Sequence, residues 1–98
     1  MSPTYAREPA FARDFVKLTD QQQQRFLTAV AAMVADLKAG RGFRPGLRVK
    51  GVQGWPGIWE MTWAPDGRAT FEYGPERRPG EPHVIWRRVG THDIFRQP

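Results

Sequence analysis

The sequence has no cysteine and a single serine, Ser2. The first absence excludes a disulfide framework and thiolate metal sites. The second leaves no serine nucleophile beyond the start of the chain. The only histidines, His83 and His92, have no further partner at metal-ligand spacing, so no metal is expected. A glycine-rich phosphate loop is also missing, and no cofactor is expected. No stretch is long and apolar enough to span a bilayer, and the N-terminal MSPTYAREPAF lacks the apolar core of a signal peptide. These absences predict a cytoplasmic protein with no membrane partner.

What is present suits one small domain, residues 1–98. Hydrophobic residues make up 40%, including four Trp and six Phe, so a few large side chains can supply much of the core. The net charge is +5. Residues 1–36 hold four basic and four acidic residues, whereas residues 37–98 hold eleven basic and six acidic ones. An excess confined to one part of the chain suggests a polyanion partner, RNA or DNA; plain solubility is the alternative.

Tyr5–Arg7 is a candidate short strand. Pro9 fits the first turn of a helix carrying Phe11, Phe15 and Leu18 on one face. Thr19 and Gln22 make a capping-box pattern for a second helix with an apolar stripe of Phe26, Val30, Met33, Val34 and Leu37, ending at Gly40. The glutamines 21–24 read as its solvated first turn. Beyond the loop RGFRPG the period changes to two. Strands are predicted over Leu47–Val52, over 57–63 (GIWEMTW), over Arg68–Tyr73 after the turn APDGR, and over His83–Val89. Trp59, Met61 and Trp63 are expected on the buried side, with Ala69, Phe71 and Tyr73 alternating against Arg68, Thr70 and Glu72. The predicted architecture is α+β: two N-terminal helices packed on a small, mostly antiparallel sheet of three to four strands. The other sheet face would carry Arg48, Lys50, Glu60, Thr62, Arg68, Thr70 and Glu72.

Several side chains on or beside that face suit phosphate chemistry. Arg68 begins a strand at the sheet rim, where a guanidinium can contact a phosphate bidentately or pair with Glu72 or Glu60. Arg48 and Lys50 can follow a nucleic-acid backbone or simply solvate an edge strand. Arg44, Arg41, Arg77 and Arg78 can extend such a patch from loops. His92, flanked by Thr91 and Asp93, is either a proton carrier or a structural cap of the last strand. Arg87 and Arg88 lie close to it in sequence, and Asp93 can orient it. Phe95 can stack on a base or pack on the core. His83 reads as structural.

Together FARDFVKL, LRVKGV, GIWEMTW, DGRATFEY and VIWRRVGTHDIF make nearly the whole chain resemble the RelE/ParE superfamily of toxins from type II toxin–antitoxin systems. The GxWE and terminal GTHxxF pieces are the most specific. The resemblance implies a ribosome-dependent mRNA endoribonuclease that needs no metal, with a cognate antitoxin, the ribosome and mRNA as partners. It implies proton transfer by His92, phosphate stabilisation by Arg68 and base positioning by Phe95, with Arg48 and Lys50 matching the family's basic residues on the RNA. Arg44, Arg87 and Arg88 are further candidates for RNA contact by their charge and position. Phe95 stands where many members carry tyrosine, so Asp93, Glu60 and Lys50 are the candidates for the second proton-transfer group. A ParE-like gyrase inhibitor and a decayed RNA- or antitoxin-binding module share the same fold.

Overall fold

The computed structural model describes residues 2–98. β1 (Thr4–Arg7) leads into α1 (Pro9–Val16) and α2 (Asp20–Ala39). A 3-10 turn at Pro45–Leu47 precedes β2 (Lys50–Gly51), β3 (Trp59–Ala64), β4 (Gly67–Gly74), β5 (His83–Gly90) and a C-terminal 3-10 helix at His92–Arg96.

Local chemistry sets the helix ends. Pro9 occupies the first turn of α1, where its missing N–H has no helical partner to lose. At α2 the capping box closes: the Thr19 hydroxyl accepts from the Gln22 N–H at 3.1 Å, and the Gln22 side chain accepts from the Thr19 N–H at 2.8 Å. Gly40 ends the helix in the left-handed region, at φ 68°.

The strands form one sheet in the order β1-β5-β4-β3-β2, with α1 packed against β5 and α2 against β3. This is an α+β fold with five strands, more than the three to four expected, and the sheet is mixed. The extra strand is β1, which pairs in parallel with β5, Tyr5 opposite Val84. A parallel neighbour needs a long return connection. Everything between β1 and β5 serves as that connection, which is why sequence spacing does not announce the pairing.

The core contains Phe11, Phe26, Met33, Met61, Phe71, Val84, Trp86 and Val89. Phe26 lies edge-on to both Trp86 (5.3 Å) and Trp63 (6.2 Å) and so ties α2 to both β5 and β3. Phe71 is fully buried, and truncating it to alanine would cost about 3–5 kcal/mol.

Three expectations about faces need correction. Met61 and Trp63 are buried, but Trp59 is 37% exposed and Tyr73 44% exposed. Their rings meet edge to face at 6.4 Å instead. Thr70 was expected on an open face yet has no exposed surface, for it sits mid-strand on β4, the central strand, and the C-terminal 3-10 helix packs against β4 and β5. Its hydroxyl is buried without a hydrogen-bond partner. The apolar stripe of α2 forms one face as expected: Phe26 and Met33 are buried, Val30 and Leu37 pack against the core, and with Val34 they line an apolar groove of about 360 Å³ beside β1.

Candidate active site

Arg68 is held by the β3–β4 hairpin. The predicted turn is present, with Pro65 and Asp66 between paired Ala64 and Gly67. The register slips between Thr62 and Ala64, leaving Trp63 as the extra residue of a bulge. Its indole lies against Gly67, where an added Cβ would come within 2.6 Å of the ring, and its Nε1 donates to the Arg68 carbonyl at 2.9 Å. Glycine is therefore required in the DGR sequence by the close approach of the indole. The Arg68 guanidinium folds back on the turn: Nη1 donates to the carbonyl of Gly67 at 2.9 Å and to those of Ala64 and Pro65 at 3.3 Å. Among the described residues, Nε and Nη2 make no hydrogen bond. One nitrogen anchors the group and leaves the Nε–Nη2 fork for a bidentate contact. The alternative pairing of Arg68 with Glu72 or Glu60 does not form.

His92 lies on the next strand's exit. Arg68 pairs with Gly90 of β5, and His92 follows two residues later at the start of the C-terminal 3-10 helix. Thr91 caps this helix by accepting from the Asp93 N–H at 3.3 Å. A 3-10 helix eclipses residues three apart. His92 and Phe95 accordingly meet edge to face, ring centroids 4.8 Å apart at 82°. Ile94 is buried between them in sequence and anchors the turn, whereas His92 is exposed. His92 therefore does not plug the core. Asp93 is exposed and makes no hydrogen bond to the imidazole among the described residues.

The remaining candidates separate. Lys50 is exposed and lies opposite Glu60, which in turn lies opposite Thr70, so these three form a row across β2, β3 and β4. Arg48 does not belong to that row. The expected strand over Leu47–Val52 shrinks to Lys50–Gly51, because Pro45–Leu47 turns as a 3-10 helix and Arg48 follows at φ 49°. A left-handed residue cannot continue a strand's alternation.

Arg44, Arg87 and Arg88 already have partners. Arg44 grips both carboxylate oxygens of Asp36 at 2.9 Å. This contact holds the Asp36 carboxyl below its ordinary value, chiefly through the side-chain hydrogen bond, and raises Arg44. Arg88 clamps Asp14 of α1 at 2.6 and 3.2 Å and donates to the Gln97 carbonyl. Arg87 pairs with Glu72 at 3.4 Å and donates to the Pro98 carbonyl at 3.2 Å. These two arginines hold the C-terminal segment, Arg88 also ties it to α1, and neither is poised around His92. His83 is buried, with Nδ1 and the Thr4 hydroxyl 2.7 Å apart, in keeping with a structural role.

Sequence reasoning missed Arg25. Gln21, Gln24, Arg25 and Thr28 form one polar face of α2 and line a groove of about 670 Å³ with Arg48, Thr62 and Arg68. Their spacing of three, four and seven residues was the available signal. No group of three or more His, Cys, Asp or Glu capable of holding a metal exists among the described residues, and none of their helices is long and apolar enough to cross a membrane.

No family model matches the sequence, and no curated protein matches it. Solved structures do match its fold. The E. coli DinJ–YafQ toxin–antitoxin complex contains a chain that superposes with a TM-score of 0.67 at 14% identity, over 96% of this chain and 97% of that one. The chain has the RelE/ParE toxin fold. The YoeB/ParE toxin from Agrobacterium tumefaciens matches at TM-score 0.64 and 10% identity, covering 91% of this chain and 98% of its own. The RelB–RelE antitoxin–toxin complex from Methanococcus jannaschii matches at 0.60 and 12%, covering 94% and 95%. Within the RelE/ParE fold, Arg68 lies just after the β3–β4 hairpin turn and His92 just past the last strand of the sheet.

Proposed function

We propose that the chain is the toxin of a type II toxin–antitoxin pair and acts as a ribosome-dependent mRNA endoribonuclease without a metal. The observation that carries this reading is the Arg68 guanidinium, anchored through Nη1 with its Nε–Nη2 fork unoccupied, on the strand whose neighbour runs into His92. The toxin–antitoxin complexes that share the fold support a cognate antitoxin as partner.

The reaction follows from the groups available. A ribose 2′-hydroxyl loses its proton and its oxygen attacks the adjacent phosphorus. The bond from phosphorus to the 5′-oxygen breaks, and that oxygen takes up a proton. The products are a 2′,3′-cyclic phosphate and a 5′-hydroxyl. Charge develops on the phosphoryl oxygens in between, where a guanidinium aimed in advance lowers the barrier. Arg68 fills that role. His92 is exposed and moves one proton. Phe95, held edge-on to the imidazole, positions a base by stacking, a contact that typically contributes about 1–3 kcal/mol. Glu60 and Asp93 are the carboxylates for the other transfer. Lys50, opposite Glu60, adds positive charge, and the decoding site of the ribosome presents the mRNA.

Induced expression with mapping of mRNA 5′ ends on ribosomes tests the reading. Growth arrest and new 5′ ends are expected from the wild-type chain, and both should disappear with His92→Ala and Arg68→Ala. Full toxicity of both variants at equal protein level overturns the site assignment. DNA-damage signalling without mRNA cleavage points instead to a gyrase inhibitor. No toxicity, with salt-sensitive RNA affinity, points to a binding module.

A further inference from the structure

The groove between α2 and β3 exists because β2 is short. β2 pairs only with Trp59 and Glu60, so from Met61 to Ala64 β3 has no strand on that side. The chain leaves the sheet at Arg48, whose left-handed backbone turns it toward the 3-10 turn at Pro45–Leu47. Left-handed backbone in a non-glycine residue is strained, and strain of this kind marks positions where the side chain is needed. Glycine adopts that region without strain, so Arg48→Gly removes the side chain without a backbone penalty in the turn.

The lining of this groove is one-sided in charge. It includes Arg25, Arg48 and Arg68, and none of its lining residues is acidic. Arg25 and Arg48 make no hydrogen bond or ion pair among the described residues. Uncompensated charge in a concave surface concentrates the potential. Gln21, Gln24 and Thr28 add hydrogen-bonding groups along the α2 wall. The large apolar residues of the lining, Leu47 and Trp63, are already buried, so an incoming peptide finds no apolar anchor.

We propose that this groove is an RNA-backbone site in which Arg25, Arg48 and Arg68 contact phosphates of a single-stranded segment. It leads the strand from the α2 side to Arg68 and is independent of base identity, since no exposed aromatic lies in the groove to stack a base. The proposal deepens the nuclease reading, because Arg68 belongs to both.

The test is fluorescence anisotropy of a labelled single-stranded oligoribonucleotide titrated with the purified chain at several salt concentrations. Each phosphate contact in a single strand contributes a slope of about 0.7 in log affinity against log salt. The double variant Arg25→Gln, Arg48→Gly should lose about one to two units of slope and at least about tenfold in affinity at low salt. Arg25→Lys with Arg48→Lys should keep most of the slope. Circular dichroism melting confirms that each variant is folded. Unchanged slope and affinity in the folded double variant overturn the proposal. A polyglutamate peptide that binds more tightly than the RNA, and loses binding in the same double variant, assigns the groove to an acidic protein segment and also overturns it. If RNA binding depends on these arginines while no mRNA is cut, the groove stands and the nuclease reading falls.

Discussion

Six arginines of this protein fall into two groups that composition cannot distinguish. At the C-terminal end of α2 and on β5, Arg44, Arg87 and Arg88 are each bound to a carboxylate, from Asp36, Glu72 and Asp14. Around the hairpin rim, Arg25, Arg48 and Arg68 have none, and the one that is hydrogen-bonded uses backbone carbonyls. A paired guanidinium has its field largely neutralised and serves packing. An unpaired one attracts anions. The net charge is therefore a poor guide to the binding surface: the useful charge lies where folding leaves arginines without acids.

The largest effect should come from the unpaired side. Arg68→Ala should lower the rate of mRNA cleavage by about 10²- to 10³-fold, as removal of one aimed donor typically does, with little change in melting temperature. Single-turnover cleavage on ribosomes, alongside a thermal melt, checks both parts. A loss of activity explained by unfolding would erase the contrast.

On the paired side the effect should be on stability. Asp14→Ala removes both oxygens that hold Arg88 and the acceptor for the Val89 N–H. It should destabilise by about 2 kcal/mol, since hydrogen bonds to charged groups contribute about 1.5–3 kcal/mol and this site is only partly shielded. Urea denaturation measures it, and RNA affinity should stay within about twofold because no phosphate contact is removed.

Smaller still is Thr70→Val, which keeps the shape and removes a buried hydroxyl that lacks a partner. It should raise stability by about 1 kcal/mol in the same denaturation experiment. A loss of stability instead would mean that the hydroxyl does useful bonding.

The Asp36–Arg44 pair should give the smallest effect and a defined pH dependence. The folded pKa of Asp36 lies below its ordinary 3.8. Its contribution is therefore fully present above about 3.8 and is lost as pH falls through the depressed folded value. Asp36→Asn should melt slightly below wild type at pH 6, and the difference should close toward pH 2. A gap that persists unchanged in acid would show that charge pairing is not its source.

Much of the fold was legible where the determining contacts are local. Thr19 with Gln22, Pro9, Gly40 and the Pro65–Asp66 turn depend on residues within a few positions of one another, and each lies where the sequence predicted it. The alternation in β3 and β4 correctly assigned Met61, Trp63, Ala69 and Phe71 to the core. It misplaced Trp59 and Tyr73, because period alone does not say how fully each position on a face is covered. In the candidate site, Arg68, His92 and Phe95 could be singled out from turn and strand-end positions, while Arg25 was lost in a segment whose charges sum to zero.

The sequence by itself determined the helix caps, the hairpin and the chemistry on offer: two histidines, no thiol, many arginines. Tertiary structure alone decided the parallel seat of β1 beside β5, the uncovered edge of β3 and the choice of which arginines remain unpaired. The physical reason is range. Caps and turns are closed by hydrogen bonds between near neighbours, whereas Arg88 meets Asp14 across 74 positions and Arg87 meets Glu72 across 15. Such pairs form only once the strands have paired and the helices have packed on them, and they leave Arg25, Arg48 and Arg68 facing one groove without a carboxylate among them.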